Sequence, residues 1–372
     1  MESPSIHVLI AGGGVAGLET LLGLHRLAGD RVALTLVAPD GEFVYRPLTT
    51  ERPFSVGRMR RVALSRAAEG AGASFLSAVI EEVDADGRTV SLSTGERMSY
   101  DALVLAVGAD VMPVLDHVMT WDDRSDSEML GGVLQDIEQG YAERLAVVIP
   151  PGPGWPLRGY ELALVIAHDA YGMSVDVEIT IVRPDPPPLA LLGDRAVALV
   201  AGELERAGIA AVSAEQISIE PGTQATLILH PSGERLEVNR VVAMPILRGR
   251  TIGGVPADEY GLIEVDERCR VAGLEGVWAV GDCTAFPLKS GGISAEQADV
   301  VAEDIAAIAG APVRPREFDP TRGELAGLPA GRFLEERLEA QEPGLSMHLP
   351  TTGVPVLTYL QKDFAAGWRD NG

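Results

Sequence analysis

The most constraining feature of the sequence is a glycine-rich turn near its beginning, Gly12-x-Gly14-x-x-Gly17. A short apolar run, His7 to Ala11, precedes it, and Leu18 to Leu27 carries apolar residues at helical spacing. Between a strand and a helix, the first glycine permits the tight turn, the second lets the backbone approach a pyrophosphate, and the third lets the helix pack on the strand. The helix N-terminus offers N–H groups to the phosphates. The pattern therefore predicts a dinucleotide-binding unit, which a second strand at Val32–Ala38 continues.

Charge and composition exclude several classes of protein. The 372 residues include 30 Lys and Arg against 54 Asp and Glu, a formal net charge of −24. A duplex needs clustered basic residues, so nucleic acid is not an expected partner. The charge also disfavours anionic lipid, although a local basic or apolar patch could still bind a membrane. With 46% hydrophobic and 23% charged residues, the chain is typical of a soluble globular protein of two to three domains.

Cysteine usage and the start of the chain bear on its location. Cys269 and Cys283 are the two cysteines, and no CxxC is present. This excludes a disulfide framework, a zinc site and a redox-active dithiol, so no metal is expected. The start, MESPSIHVLIAGGG, leaves no room for a signal peptide, and no apolar run reaches the length of a membrane span. We expect a cytoplasmic protein, with peripheral membrane contact as the alternative.

Apolar runs and turn signals predict a second β-α-β pattern. It combines a strand at Leu145–Ile149, a helix at Tyr160–Tyr171 and a strand at Val177–Val182. From Val241 the sequence again shows short apolar strands and a helix, as in the first segment. We therefore expect two such units, with the second inserted into the first. The other predicted elements are strands at Ser74–Val83, Thr89–Leu92, Ala102–Val107, Ile217–Ile219, Thr226–Leu229, Val241–Ala243 and Val277–Ala279, and helices at Arg195–Ala207 and Ser294–Ile308.

Three further segments indicate a family. Tyr100 to Gly108 is a buried strand that ends in Val107-Gly108, and Val277 to Cys283 is a strand that ends in Gly281-Asp282. Pro287 to Ser294 then leads into a helix. Together with the first turn, this ordered set resembles the pyridine nucleotide-disulfide oxidoreductase superfamily, whose members are flavoproteins with two dinucleotide-binding domains. The chain is most similar to the branch of sulfide:quinone oxidoreductases and type II NADH dehydrogenases, over about residues 5–310.

The resemblance implies an α/β fold with two Rossmann-like domains, one for FAD and one of NAD(P)-binding type. We expect a discontinuous FAD-binding domain at 1–110 and 241–312, an inserted domain at 111–240 and a C-terminal cap or interface segment at 313–372. The tail from Thr351 to Trp368 carries apolar residues among few charges. It covers the flavin, pairs with another subunit in a homodimer, or touches a membrane; the pattern leaves these three open.

The glycine turn and the resemblance together select candidate residues for FAD. Asp282 could accept hydrogen bonds from the ribityl chain or from a water that bridges the pyrophosphate. Asp40 either reaches the ribose or only forms the turn after the second strand. Arg46 follows the aromatic run Phe43-Val44-Tyr45, which either walls the flavin ring or is plain core under a loop. The candidates are Gly12, Gly14, Val15, Ala16, Gly17, Ala38, Pro39, Asp40, Arg46, Val79, Ala106, Val107, Gly108, Gly281, Asp282, Gly292 and Ile293.

Two further residues are candidates for catalysis. Ser294 to Gln297 fits a capping box, with Ser294 as N-cap, and this places a helix N-terminus where a reduced anionic flavin would be stabilised. Lys289 either adds positive charge beside the flavin ring or the acceptor, or is a solvated surface lysine. Glu161 matches a family glutamate that helps proton movement, since burial beside the ring would raise its pKa. Its alternative role is that of an acidic residue favoured by the helix dipole.

The second unit departs from the family pattern. Its turn reads Gly154-Trp155-Pro156-Leu157-Arg158-Gly159, so Pro156, which has no N–H, replaces the middle glycine. Arg183 stands where a ribose-binding acid is expected; it either accepts a 2′-phosphate and selects NADPH, or is exposed. These changes disfavour NADH binding. No cysteine follows Cys283, so sulfide oxidation by thiolates is excluded, and Cys283 is expected to be a small buried packing residue.

We therefore predict an FAD-dependent oxidoreductase that passes electrons from a small-molecule donor through the flavin to a quinone or another small acceptor, without redox-active cysteines. One alternative is an NAD(P)H dehydrogenase whose altered turn still binds nucleotide. The other is a flavin-binding subunit or sensor without turnover.

Overall fold

The computed structural model describes residues 6–45, 60–121, 127–220, 222 and 224–320. Within these ranges the chain forms six α-helices and twenty β-strands. The helices are α1 (Val15–Ala28), α2 (Leu64–Gly70), α3 (Ser127–Glu138), α4 (Pro156–Gly172), α5 (Asp194–Arg206) and α6 (Gly291–Ile308). The strands are β1 (Ile6–Ala11), β2 (Val32–Ala38), β3 (Glu42–Tyr45), β4 (Arg60–Ala63), β5 (Ser74–Ser77), β6 (Ile80–Asp84), β7 (Thr89–Leu92), β8 (Arg97–Ser99), β9 (Ala102–Leu105), β10 (Ala109–Met112), β11 (Met119–Thr120), β12 (Arg144–Val148), β13 (Glu178–Arg183), β14 (Ala210–Ser213), β15 (Gln216–Glu220), β16 (Ala225–His230), β17 (Glu234–Val238), β18 (Arg240–Ala243), β19 (Ile246–Gly249) and β20 (Val277–Ala279).

The first sheet has five parallel strands in the order β20-β9-β1-β2-β5. One face packs against α1 and α6, where Ile10 and Val104 meet helix residues such as Leu18 and Val300. The other face packs against the antiparallel sheet β6-β7-β8. Because both faces are buried, the strands have nearly continuous apolar sequences instead of an alternating pattern.

The second sheet repeats this arrangement with the strand order β11-β18-β12-β13-β14, again parallel. Helices α4 and α5 pack on one face, and the antiparallel sheet β15-β16-β17 packs on the other, with Leu227 and Leu229 buried against Val148. Two parallel sheets with crossover helices confirm the predicted α/β class with two Rossmann-like units.

Several predicted elements have different bounds; the helix predicted at Tyr160–Tyr171, for example, is α4 and begins at Pro156. The strand predicted at Ser74–Val83 is two strands, since β5 pairs in parallel with β2 while β6 pairs antiparallel with β7. An apolar run does not show that its two halves belong to different sheets. Helix α6 begins at Gly291, before the predicted Ser294.

The strand predicted at Val241–Ala243 does not return to the first sheet. Within β18 it pairs in parallel with β12, in the second sheet. A boundary at 240/241 therefore falls inside a strand, and we propose that the inserted domain extends through Ala243. The two segments that cross between the sheets pair with each other as β10 and β19. The rest of the domain division stays a prediction, and residues 321–372 of the predicted C-terminal segment lie outside the described residues.

Candidate functional site

The glycine turn between β1 and α1 is tightly enclosed by backbone. A Cβ atom on Gly12 would lie 2.0 Å from the carbonyl oxygen of Ala106, and Gly12 has a φ of +125°. A Cβ atom on Gly17 would lie 1.9 Å from the carbonyl oxygen of Gly12. Backbone atoms cannot move aside as a flexible side chain can, so both positions require glycine.

Gly14 differs from its neighbours because it faces open space. A Cβ atom there would meet no heavy atom within 4 Å. Gly14 is the N-cap of α1, and no side chain caps this end. The first N–H groups of a helix have no partner within the helix, so an anion beside Gly14 would supply their acceptors. The turn therefore fits a pyrophosphate, the central group of FAD.

The ends of several strands meet at this turn. Gly281 follows β20, has a φ of +78° and packs closely against α1. A Cβ atom on Gly281 would lie 2.9 Å from the Cβ of Ala16. Ala106 borders Gly12 at the end of β9, and Ala38 at the end of β2 borders Gly13. The structure thus brings the first turn, 106–108 and 281–282 together at the carboxyl edge of one sheet, where open α/β sheets bind ligands. A dinucleotide could be held from several sides here, so these residues fit FAD.

The candidates at the far side of the same edge are more exposed. Pro39 and Asp40 follow β2, and the carbonyl oxygen of Pro39 accepts a hydrogen bond from Ser77. Val79 follows β5, is 43% exposed and donates its N–H to the Ser93 hydroxyl. Both roles considered for Asp40 remain open. Arg46 and the loop after it lie outside the described residues.

Sequence reasoning missed Arg250, whose charge interacts with those of Asp110 and Asp40. The guanidinium of Arg250 donates two hydrogen bonds to the Asp110 carboxylate, at 2.8 and 3.2 Å. This contact, with a smaller contribution from the charge of Asp40, holds the pKa of Arg250 above its usual value. No spacing in the sequence could have indicated this interaction, because Arg250 directly follows β19, far along the chain.

The N-cap of α6 was predicted wrongly. Ser290 is the N-cap, and its hydroxyl accepts a hydrogen bond from the Ile293 N–H at 3.1 Å. Ser294 lies inside the helix and donates its hydroxyl to the carbonyl of Ser290. Gly291 and Gly292 are weak helix formers, so propensity favoured a later start. The helix nevertheless begins there, and buries Gly292 and Ile293 in its first turn.

Gln297 has a different role from the capping interaction expected for it. It is fully buried, and its Oε1 accepts the Gly281 N–H at 2.7 Å. Its Nε2 donates to the Thr284 hydroxyl, which in turn donates to the Gly281 carbonyl. Gln297 therefore ties the bend at 281–284 to α6. No local pattern in the sequence signals this contact, because it joins residues that are 16 apart.

Lys289 is 3% exposed, which excludes a solvated surface lysine. Its ammonium donates to the carbonyl oxygens of Asp282, at 3.2 Å, and Thr284. Burial lowers the pKa of Lys289, while the neighbouring Asp282 acts in the opposite direction. The Lys289 side chain thus links two carbonyl groups of the bend at 281–284 and places a positive charge beside them.

Cys283 lies in the same bend and is buried, as expected for a packing residue. Its Sγ lies 3.3 Å from the carbonyl oxygen of Leu105 and 3.2 Å from that of Val280. Burial raises the pKa of this thiol to about 11, so little nucleophilic thiolate forms near neutral pH.

The second turn keeps two of its three glycine positions. A Cβ atom on Gly154 would lie 2.9 Å from the Pro245 carbonyl oxygen, and one on Gly159 would lie 2.7 Å from the Ile149 side chain. Pro156 opens α4 at the position of the middle glycine and has no N–H to donate. The turn is also docked against the segment before α6. The Gly154 N–H donates to Pro287 at 3.1 Å, and its carbonyl accepts the Lys289 N–H at 2.9 Å.

Two further candidates lie in the second unit. Glu161 is half-buried in the second turn of α4. Arg183 ends β13, donates to the carbonyl of Pro184 at 3.0 Å and lies 3.9 Å from the Asp185 carboxylate. Arg183 is therefore occupied within its own loop, with its side chain 23% exposed.

Comparisons with known proteins identify relatives of this chain. The family model described as pyridine nucleotide-disulphide oxidoreductase matches residues 6–303. An NADH dehydrogenase-like protein of Mycobacterium tuberculosis is 29% identical over 302 residues, which cover 75% of this chain and 72% of that protein. The sulfide-quinone reductase of Aquifex aeolicus is 25% identical over 191 residues, covering 48% of this chain and 43% of that protein.

A solved structure shows the same fold. The sulfide:quinone oxidoreductase from Aquifex aeolicus superposes with a TM-score of 0.69 at 19% identity, covering 83% of this chain and 78% of that chain. Both parallel sheets described above are therefore parts of a known two-unit architecture.

Proposed function

Since the chain belongs to the pyridine nucleotide-disulphide oxidoreductase family, we propose that it passes electrons through FAD to a quinone or another small acceptor. The family assignment makes it an FAD-dependent oxidoreductase; its acceptor is the part proposed here. When bound, FAD supplies two-electron redox chemistry in its isoalloxazine ring. The assignment favours an enzyme over a flavin-binding subunit without turnover.

The observation that carries the proposal is the convergence of Gly281 on Ala16 beside the open space at Gly14. The start of α1 is suited to bind the phosphates, since its N–H groups lack a side-chain cap. Asp282, in the bend that Gln297 holds, is suited to bind the ribityl chain. The buried charge of Lys289 favours negative charge developing nearby, although its hydrogen bonds go to backbone carbonyls. Glu161 is the candidate to hold or release a proton.

The second turn supports a donor other than NAD(P)H. Pro156 has no N–H, and the Gly154 N–H is already bonded to Pro287. A pyrophosphate placed there would therefore lose donors that a glycine turn normally offers. An NAD(P)H dehydrogenase remains the second candidate function, because the M. tuberculosis relative carries an NADH dehydrogenase-like name and Gly154 and Gly159 keep their close packing.

Anaerobic titration of the purified protein tests both candidates. We expect an oxidised flavin spectrum that NADH and NADPH bleach slowly or not at all. After reduction with dithionite and its removal, a naphthoquinone should restore the spectrum stoichiometrically. Rapid bleaching by either nucleotide would favour the dehydrogenase, and a protein that binds no FAD would contradict both.

The location and the oligomeric state of the enzyme are known only as predictions. None of the helices in the described ranges is long and apolar enough to cross a membrane. The cytoplasmic or membrane-peripheral location and the homodimer stay predictions.

A further inference from the structure

A cleft of about 330 Å³ lies at the carboxyl end of the second sheet, at the lower end of the size range of small-molecule sites. Its walls come from the turn after β12, from the residues that follow β18 and from the segment Ala285–Leu288 that leads to α6. Leu191 is 54% exposed and lies at its edge. The cleft therefore lies between the two units, on the side of the bend at 281–284.

The walls of this cleft are unsuited to phosphate. Eight of the nineteen described residues that line it are prolines, which have no N–H. The charged side chain among those nineteen is Asp258, whose Oδ1 accepts the backbone N–H groups of Tyr260 and Leu262 at 2.9 and 2.8 Å. A dinucleotide would meet few donors and a carboxylate, so its negative charge would be poorly compensated.

The same walls suit an uncharged ring. Trp155 and Tyr260 contribute aromatic surface, and Leu191 and Leu262 contribute aliphatic surface. The guanidinium of Arg158 lies 4.6 Å from the centroid of Trp155 and helps to hold this ring in place. The Tyr260 hydroxyl offers a donor for a carbonyl oxygen. A mostly apolar cavity with one or two polar groups is the usual form of a site for a small neutral ligand.

We propose that this cleft binds the electron acceptor, an uncharged planar molecule of the quinone class, at the place where a nicotinamide dinucleotide would otherwise lie. This inference rests on the proposed function. The wall residues Pro287 and Leu288 directly precede Lys289, whose ammonium donates a hydrogen bond to the Asp282 carbonyl. One segment therefore joins the cleft to the bend at 281–284, which borders the candidate FAD site. In the reaction the quinone gains two electrons and two protons and becomes a quinol. Both electrons and one proton would come from the bound, reduced flavin, and the second proton would come from solvent.

The test compares two substitutions of exposed apolar residues by glutamate. Leu191→Glu places a charge at the edge of the cleft, whereas Ile308→Glu makes the same change at the end of α6, where the side chain is 56% exposed. Binding of a naphthoquinone to the FAD-loaded protein is measured by equilibrium dialysis. We expect Leu191→Glu to raise its Kd by about tenfold or more and Ile308→Glu to leave it unchanged. Tyr260→Phe should raise it by a smaller factor, because it removes a single hydrogen bond.

The outcomes separate this inference from the proposed function. An equal Kd in Leu191→Glu and the original protein would overturn the cleft assignment. If the enzyme reduces quinone and Leu191→Glu leaves the KM for the quinone unchanged, the cleft assignment is overturned and the proposed function stands. If Leu191→Glu weakens naphthoquinone binding but the reduced flavin transfers no electrons to any quinone, the proposed function is overturned instead.

Discussion

Gly281 donates its backbone N–H to the side chain of Gln297 at 2.7 Å, across 16 residues of sequence. The same glycine has a φ of +78° and no room for a Cβ atom beside Ala16. One buried amide on α6 thus fixes the bend that packs against the start of α1. The position of the candidate cofactor site depends on this contact.

Substitution of Gln297 should loosen the bend. Gln297→Met keeps most of the volume but leaves the Gly281 N–H without its acceptor, so we expect the free energy of unfolding to fall by about 1–3 kcal/mol. Urea denaturation measures this loss, and FAD content should fall with it. The exposed Gln135 on α3 offers the control, since Gln135→Met should change neither quantity. Equal midpoints for the two variants would show that the amide does not hold the bend.

Substitution of Gly14 should weaken cofactor binding without unfolding the protein. A methyl group there meets no protein atom within 4 Å but intrudes where a phosphate would lie. We expect Gly14→Ala to raise the Kd for FAD by about tenfold, or about 1.4 kcal/mol, at an unchanged circular dichroism spectrum. Gly132→Ala on α3 is the matched control, because its Cβ also meets nothing. Full FAD occupancy in Gly14→Ala at low FAD concentration would contradict the assigned position of the pyrophosphate.

Stability should depend on pH through Lys289. Burial lowers the pKa of Lys289 in the folded protein, whereas an unfolded lysine titrates near about 10.4. Between those two values the unfolded chain binds more protons, so stability rises with pH in that interval. The free energy of unfolding of the original protein minus that of Lys289→Met should therefore increase as the pH approaches about 10. Urea denaturation at several pH values measures the difference, and a constant difference would show that the folded pKa is not lowered.

Thiol reagents should not reach the cysteines of the folded protein. Burial raises the pKa of Cys283 to about 11, so at pH 8 roughly one thiol in a thousand is ionised. Cys269 is also buried, and its pKa is raised in the same way. We expect negligible labelling in buffer and two labels per chain in urea. Cys283→Ala should retain electron transfer, and loss of turnover with bound FAD would assign this thiol a redox role.

Much of the fold could be predicted because its signals are local. The bounds of β2, β7 and β20 agree with the predicted strands, and the glycine turn was placed correctly between β1 and α1. Buried parallel strands have continuous apolar sequences, and a turn that needs glycine displays it. The family resemblance followed from the order of such local segments.

Other features depend on contacts between distant residues. The apolar sequence of Val241–Ala243 suits either sheet, and only its pairing with β12 assigns it to the second. The surroundings of Lys289 and Gln297 were likewise invisible, because burial depends on which segments fold over a side chain.

The sequence by itself determined the two β-α-β units, the phosphate-type turn at Gly12 and the loss of an N–H at Pro156, because each depends on the geometry of a few consecutive residues. The tertiary structure alone decided that Gly281 meets Ala16, that Gly154 bonds Pro287 and that prolines from both units line one cleft. Such contacts join segments far apart in the chain, and their free energy comes from packing that no local pattern specifies.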